Sequence, residues 1–312
     1  MLGRLMLITT AAVWGTSYTF SKHVMETMPV QWMMTVRTII GAIMVAVIFR
    51  RRLRGVRLRN LIVPGLILSA TYWSAFTMQM SALHLTAPGH NGFLTATYCV
   101  FVPFVMWAVT RRRPRVQHVL AAAVCLAGVA LVSLGGSAGE GGAAAVSGFG
   151  ATQVLGVAVG DWMSLAGGLL FGVNIALTGW LSRKFDPIAL TFMTFCISSV
   201  MFLAAALIGS GGFDPMWVRP DIIGSILYLA AGSTVVAQIC ESVGMRVVPA
   251  AQASIIMCTE SLFSFLFSMA LTGERATVTA MVGFAVIFAS MIVAELPLAS
   301  LLRRRRQASA SR

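Results

Sequence analysis

The residue best suited to chemistry is Glu260, a lone carboxylate in the middle of a long apolar segment. A charged group at the centre of a bilayer costs about 2.5–3.5 kcal/mol on insertion scales, so its presence needs a reason. Two explanations are open. Desolvation favours the protonated carboxyl, so Glu260 is a candidate to take up and release a coupling proton. Alternatively, it is the fixed partner of a hydroxyl or backbone group.

Other polar and aromatic side chains recur at helical spacing within the apolar segments, which places each group on one helix face. Taken singly, each is explained by interhelical hydrogen bonding, worth roughly 0.6 kcal/mol in membranes. As a set drawn from six segments, they predict a shared cavity that binds a small molecule. The cavity candidates are Trp14, Tyr18, Tyr72, Phe76, Gln79, Asn91, Thr95, Tyr98, Asn174, Thr178, Gln238, Gln252 and Thr259.

Two cations and a second acid also lie in or near apolar segments. Arg37 either snorkels to the membrane surface or pairs inside the protein as a packing anchor. Lys22 ends the first segment near the outer surface, where an interfacial anchor is one explanation and a family resemblance given below implies another. Glu241 lies close to the end of its segment, where we expect a solvated side chain. Arg37, Lys22 and Glu260 are therefore the coupling or gating candidates.

Three features that could suggest an enzyme or a metal protein lack the context or spacing that such sites need. Residues 135–139 match GxSxG, but they lie in a Gly/Ala-rich stretch without the strand and helix of a nucleophile elbow. His84 and His90 are six residues apart across a turn, unlike a helical zinc pair. The five cysteines lie in apolar segments without a CxxC motif. The sequence thus predicts no catalytic residue, no metal, no cofactor and no enzyme.

Membrane helices must position these residues, because the composition excludes a soluble domain. The chain has 312 residues, of which 58% are hydrophobic and 11% charged, against roughly 25% charged residues in average soluble domains. The apolar runs are continuous, which argues against an outer-membrane barrel. Windows of about 19 residues predict ten spans, at residues 5–24, 31–49, 61–82, 89–109, 116–134, 160–181, 188–208, 222–243, 250–271 and 276–295.

The net charge of +13 reports orientation. With the N-terminus inside, nineteen of the 23 Lys and Arg residues fall in inner segments and three in outer ones. This positive-inside bias predicts a multi-pass protein of the inner membrane with both termini in the cytoplasm. The basic runs at residues 50–52 and 303–306 are explained by contact with anionic lipid, so we expect no nucleic-acid partner.

A Gly/Ala-rich stretch divides the ten spans into two sets of five. An odd number of spans reverses the chain direction, so homologous halves must be inverted repeats. The predicted fold is therefore all-α and polytopic, with ten transmembrane helices as two inverted five-helix repeats. Its parts are a first repeat at residues 5–135, an outer linker at 136–159, a second repeat at 160–296 and a basic cytoplasmic tail at 297–312.

Several motifs resemble the EamA type of the drug/metabolite transporter superfamily. They are Trp14-Gly15-Thr16-Ser17, Arg37, residues 82–103, Glu260 within residues 250–296, and Gly273-Glu274-Arg275. The first half departs from the pattern, with Arg111-Arg112-Arg113-Pro114 where many relatives carry a Gly-Glu-Arg segment. The resemblance implies alternating access and a central cavity lined mainly by spans 1, 3, 4, 6, 8 and 9. Lys22 matches a lysine common in this family's first span, so the resemblance also implies a gate or a contact with a substrate carboxylate there. The resemblance does not imply a particular substrate.

Together these features predict a secondary-active or facilitative transporter that exports a small metabolite or drug-like solute, with protons as a candidate coupling ion. Other classes remain as alternatives: a membrane-embedded enzyme, a lipid scramblase or a non-transporting membrane sensor. An enzyme needs several convergent acid, His or nucleophile side chains at one depth. The sequence offers one mid-span acid and no mid-span His.

Overall fold

The structure is a computed structural model, and it describes residues 1–111, 113, 120–121, 123–125, 127–128, 131, 153–154, 157–209, 212, 214–273 and 277–295. Most of the fifth predicted span, most of the linker, the C-terminal tail, and Glu274 and Arg275 lie outside the described residues. Six helices can be followed from end to end among the described residues before the linker: α1 (Leu2–Met25), α2 (Val30–Ile48), α3 (Arg50–Arg54), α4 (Ile62–Leu85), α5 (Pro88–Thr95) and α6 (Tyr98–Thr110).

In the described part of the chain after the linker there are seven helices: α7 (Val159–Leu181), α8 (Pro187–Gly209), α9 (Pro220–Tyr228), α10 (Ala237–Val247), α11 (Ala250–Cys258), α12 (Glu260–Thr272) and α13 (Val278–Glu295). Short 3-10 turns cover Leu58–Leu61 and Pro215–Val218, and a π-helical stretch covers Leu229–Val236. The two-residue strands β1 (Gln153–Val154) and β2 (Val157–Ala158) pair in antiparallel fashion just before α7. This hairpin is a small departure from the all-helical expectation.

Within the described residues, seven helical segments are long and apolar enough to cross a membrane. They are Val30–Ile48, Leu58–Leu85, Pro88–Thr110, Val159–Leu181, Pro187–Gly209, Pro220–Val247 and Ala250–Leu271, which coincide with seven of the ten predicted spans. α1 is 24 residues long, but its Thr, Ser, Arg and Lys side chains lower its mean hydropathy. A helical protein with several membrane spans is therefore confirmed, while the number ten stays a prediction.

Two predicted spans are interrupted in the same way. The fourth consists of α5 and α6, and the ninth consists of α11 and α12. At each break a threonine hydroxyl donates to the preceding turn, Thr97 to Leu94 and Thr259 to Ile256, both at 2.7 Å. Arg111 and Gly273 then end α6 and α12 in the left-handed conformation. Each break thus starts a new helix within a predicted span, and a helix N-terminus is a favourable place for a negatively charged group.

Two glycines let helices approach closely at equivalent places. A Cβ on Gly15 would overlap the Cβ of Phe263 and lie 2.8 Å from the carbonyl oxygen of Glu260. A Cβ on Gly172 would lie 3.0 Å from the Cβ of Phe101 and 3.3 Å from the carbonyl oxygen of Tyr98. α1 thus packs on the start of α12 as α7 packs on the start of α6.

An ion pair connects α3 to the turn before α8. The Nη2 of Arg52 donates to the Oδ2 of Asp186 at 2.7 Å, and the Oδ1 of Asp186 accepts from the backbone N–H groups of Ile188 and Ala189. Asp186 therefore caps α8, with Pro187 as its first residue. Partial burial raises the pKa of the Asp186 carboxyl, but Arg52 and the two N–H groups outweigh that effect and hold the pKa below its ordinary value.

We expect Asp186→Asn, which keeps a cap oxygen but removes the charge that pairs with Arg52, to lower the melting temperature of the purified protein at pH 7 by about 1–3 °C, on the scale of a partly exposed ion pair. Because the pKa of Asp186 is depressed in the folded state, its stabilisation is present above the unfolded pKa of about 3.9 and is lost as the pH falls through the folded value. Melting curves from pH 7 to pH 3 should show the gap between wild type and variant closing. A gap that is unchanged at pH 3 contradicts this account. Glu26→Gln, at an exposed acid, is the control.

Candidate functional site

A small cavity lies where both parts of the chain meet in the interior. Helices α1, α4, α6, α7 and α12 and the π-helical stretch each contribute to its wall. Its volume is about 20 Å³, which is room for about one water molecule. We call it the Glu260 cavity, and its lining residues are Trp14, Ser17, Tyr18, Phe76, Gln79, Met80, Tyr98, Phe171, Ser233 and Glu260. Six of them are predicted site residues.

Glu260 lies at the start of α12, directly after the break at Thr259, with 2% of its surface exposed. The positive end of the helix dipole favours a carboxylate there. The hydroxyls of Tyr18 and Tyr98 face the carboxyl group, and Oε2 has no hydrogen-bond partner among the described residues. Hydroxyls can donate to a carboxylate or accept from a carboxylic acid. The surroundings therefore accommodate both protonation states of Glu260.

The polar contacts around Glu260 continue from Tyr18, on α1, to α4. The Nε2 of Gln79 donates to the hydroxyl of Tyr18 at 2.8 Å. Thr95, which is buried, also faces that hydroxyl. Two tyrosines and a glutamine from α1, α4 and α6 thus surround an acid from α12. The site is assembled from helices distant in sequence, as substrate sites between membrane helices are.

Aromatic rings form the rest of the wall. The indole Nε1 of Trp14 donates to the backbone oxygen of Ser233 at 3.1 Å, which fixes the ring. The rings of Tyr72 and Phe76 have centroids 4.4 Å apart, and those of Phe76 and Phe171 are 4.9 Å apart. Such faces suit the apolar or aromatic part of a solute, while the polar groups fix its orientation.

A second cavity lies on the other side of Tyr72 and Phe76. Its volume is about 10 Å³, and it is bounded by α4, α7, α8 and α10. We call it the Thr191 cavity. The hydroxyls of Thr191 and Ser242 are 3.1 Å apart. Its lining residues are Leu68, Tyr72, Asn174, Thr178, Leu190, Thr191, Thr194, Gln238 and Ser242. Four of these are predicted site residues.

The burial of Glu241 contradicts the prediction made for this residue. Its side chain is fully buried, whereas the sequence suggested a solvated helix end. The Nε2 of Gln238 donates to its Oε2, and Oε1 has no partner among the described residues. The prediction was wrong because α10 continues to Val247 and packs against α1 and α8, so Glu241 lies well inside the bundle.

Arg37 does not snorkel, so that interpretation is wrong. Only 1% of its surface is exposed. Its Nε donates to the hydroxyl of Thr234 at 3.2 Å, and its Nη2 donates to the hydroxyl of Ser233 at 3.1 Å. Its guanidinium carbon lies 5.8 Å from the centroid of the Phe76 ring. Arg37 thus connects α2 to the π-helical stretch behind the wall of the Glu260 cavity.

Lys22 bridges two helix ends. Its Nζ donates to the backbone oxygen of Thr86, which follows α4, at 2.6 Å. A similar contact lies elsewhere in the bundle, where the Nη2 of Arg183 donates to the backbone oxygen of Val248, which follows α10, at 3.4 Å. Each contact joins the end of α1 or α7 to the end of a helix that lines a cavity. Sequence reasoning included Lys22 but missed Arg183.

The remaining candidates do not line either cavity. Asn91 is buried and donates to Ser164 at 2.9 Å, which is a packing contact between α5 and α7. Thr259 is half-buried and bonds within its own turn, while Gln252 is exposed. Thr191 and Thr194 were missed because the seventh span was not counted among the cavity helices. The available signal was the polar spacing of Thr191, Thr194 and Ser198 on one helix face.

Three comparisons with known proteins relate the chain to a family, to a relative and to a solved structure. The EamA-like transporter family matches residues 1–134 and 158–295. A protein described as an uncharacterized transporter from Archaeoglobus fulgidus is 25% identical over 286 residues, which are 92% of this chain and 83% of the relative. One solved crystal structure, 18% identical, covers 97% of this chain and 98% of its own length with a TM-score of 0.68. At that identity the structural match concerns the fold alone.

Proposed function

The chain belongs to the EamA-like transporter family and is a multi-pass membrane protein, and on that premise we propose that it exports a small metabolite or drug-like solute across the inner membrane by alternating access. The observation that carries this proposal is the Glu260 cavity, where a buried carboxyl group, hydroxyls and aromatic rings converge from six helical segments. Small-molecule sites combine such an apolar wall with a few placed polar groups.

The proposed architecture is ten spans in two inverted repeats, with both termini in the cytoplasm. Four features support it. The family matches two segments of similar length. The interrupted pairs α5–α6 and α11–α12 correspond, and Gly15 and Gly172 make corresponding contacts. The basic residues are biased towards predicted inner segments.

The proposed transport cycle is a rocking of the two halves about the Glu260 cavity. Both cavities are too small for a metabolite in this conformation, so we interpret it as occluded. Lys22 with Thr86 and Arg183 with Val248 are the contacts that we expect to break alternately, one at each end of the pathway. Lys22 is thereby proposed as a gating residue.

Protons are the proposed coupling ion, with Glu260 as the carrier. The proposal is supported by the burial of Glu260, by the partner hydroxyls of Tyr18 and Tyr98, and by its place on the cavity wall. A carboxyl that alternates between the two sides of a membrane can exchange one proton with each side in every cycle. Coupling of solute to proton movement then needs no further energy source.

The experiment is metabolite profiling of cells and medium. It compares a deletion strain, the same strain with the wild-type chain overexpressed, and the strain with an empty vector. We expect one class of solute to fall in the cells and rise in the medium on overexpression, with the opposite change on deletion. A rise in the cells reverses the proposed direction. Unchanged profiles contradict the transport proposal and favour a sensor.

A further inference from the structure

Arg37 is a buried cation whose electrostatic partners are incomplete. Two of its nitrogens donate to the hydroxyls of Ser233 and Thr234, and the third, Nη1, has no hydrogen-bond partner among the described residues. The ion pairs found in the described part of the chain are His23 with Glu26 and Asp221, Arg52 with Asp186, His90 with Asp161, and Arg219 with Asp221, so none of them involves Arg37. Neutral hydroxyls compensate a buried cation only in part.

The position of Arg37 connects this incomplete charge to the proposed pathway. Ser233 and Phe76, two of its contacts, both line the Glu260 cavity. The π-helical stretch places Ser233 and Thr234 towards Arg37, and π turns of this kind are frequent at functional sites. The guanidinium therefore contacts two residues of the cavity wall, while Arg37 is not itself among the lining residues.

The correspondence between the two halves gives an independent reason to connect Arg37 with a cavity. The spacing that relates Gly15 to Gly172 also relates Val30, the first residue of α2, to Pro187, the first residue of α8. The same spacing takes Arg37 to Thr194, which lines the Thr191 cavity. In the second half this position lines a cavity, with the Thr194 hydroxyl donating to the backbone oxygen of Leu190 at 2.9 Å. In the first half the same position holds the only charge of α2.

We propose that Arg37 is the anion-binding residue of the substrate site, and that the transported solute carries a carboxylate or phosphate group which pairs with Nη1. This inference rests on the proposed function and adds the chemical class of its substrate. Guanidinium groups favour both kinds of anion, since their N–H donors match paired oxygens. Ser233 and Thr234 hold the guanidinium in place, and Phe76 covers one of its faces.

The test measures ligand-induced shifts in the melting temperature of the full-length protein in detergent, at constant ionic strength. The probes are inorganic phosphate, acetate and benzoate, with acetamide and benzamide as neutral counterparts. We expect saturable stabilisation by phosphate or by the carboxylates and none by the amides. Arg37→Gln should weaken the apparent affinity at least about tenfold. Arg219→Gln, at an exposed arginine, should leave it unchanged.

A second variant distinguishes loss of anion binding from a folding defect in Arg37→Gln. Thr234→Asp places a carboxylate next to the Nε of Arg37 and so supplies a counter-ion from the chain itself. We expect it to melt at a higher temperature than wild type and to lose the response to anions. An anion response that persists in Thr234→Asp or in Arg37→Gln overturns the proposal, as does the absence of any anion response in wild type.

Failure of this inference is distinguishable from failure of the proposed function. If profiling identifies a neutral or cationic solute whose export survives in Arg37→Gln, the anion proposal is overturned while transport stands. If anions bind through Arg37 but no solute changes between strains, transport is contradicted while the anion site stands.

Discussion

Replacing Glu260 with Gln is expected to abolish uphill transport driven by a pH gradient while leaving solute exchange intact. The amide keeps the size and the hydrogen bonding of the side chain but cannot carry a proton. The measurement uses proteoliposomes that contain the solute identified by profiling and an imposed pH gradient. For one proton per solute, wild type should build a solute gradient of about tenfold per pH unit, and the variant should remain at a ratio of about one.

The matched control is Glu26→Gln, because Glu26 is an exposed acid at the end of α1. It should build the same gradient as wild type. A gradient of wild-type size in Glu260→Gln would mean that Glu260 is a fixed structural partner and not the proton carrier. Loss of both exchange and gradient, with normal folding, would mean that its role is to bind solute.

The second large effect concerns the contact between α1 and α12. Gly15→Ala should lower the free energy of unfolding by about 1–3 kcal/mol, because the new Cβ collides with backbone that cannot move without shifting a helix. The collision involves the Cβ of Phe263 and the carbonyl oxygen of Glu260, so we also expect transport to fall. Gly172→Ala should have a smaller effect, since its nearest neighbour would be 3.0 Å away.

Gly224→Ala is the control for the glycine series. A Cβ at Gly224 meets nothing within 4 Å, and alanine is the better helix former by about 1 kcal/mol. The expected order of melting temperatures is therefore Gly224→Ala highest, then Gly172→Ala, then Gly15→Ala. Equal melting of Gly15→Ala and Gly224→Ala would contradict the close approach of α1 and α12.

Hydropathy and helical spacing predicted much of the architecture and part of the site. Continuous apolar runs predict helices because every backbone group must be satisfied within the membrane, and seven predicted spans coincide with suitable helices. Glu260 could be singled out because an acid at that depth is costly wherever it points. Trp14, Tyr18, Phe76, Gln79 and Tyr98 could be found because their spacing places them on shared faces, and these faces prove to line the cavity.

The remaining details depend on packing that spacing does not encode. Gln252 shares a predicted face with Thr259, yet it is exposed, since periodicity identifies a face without saying what it meets. Helical spacing does not predict the π-helical stretch of the eighth predicted span, nor that its Ser233 lines one cavity while Gln238, which follows it, lines the other. Glu241 was expected at a solvated helix end and Arg37 had two open explanations, because distance from a span end does not tell which neighbouring helices bury a side chain, and they bury both.

Alternating access requires the Glu260 cavity to communicate with both sides of the membrane in turn. The most direct measurement is the reaction of Ser17→Cys, in a chain whose five native cysteines are replaced, with a membrane-impermeant thiol reagent. Ser17 lines the Glu260 cavity, and Ala11→Cys, at a fully buried residue outside that lining, is the control. We predict labelling of Ser17→Cys from either side, in right-side-out and in inside-out vesicles, and no labelling of Ala11→Cys. Labelling from one side only, or from neither, would contradict alternating access.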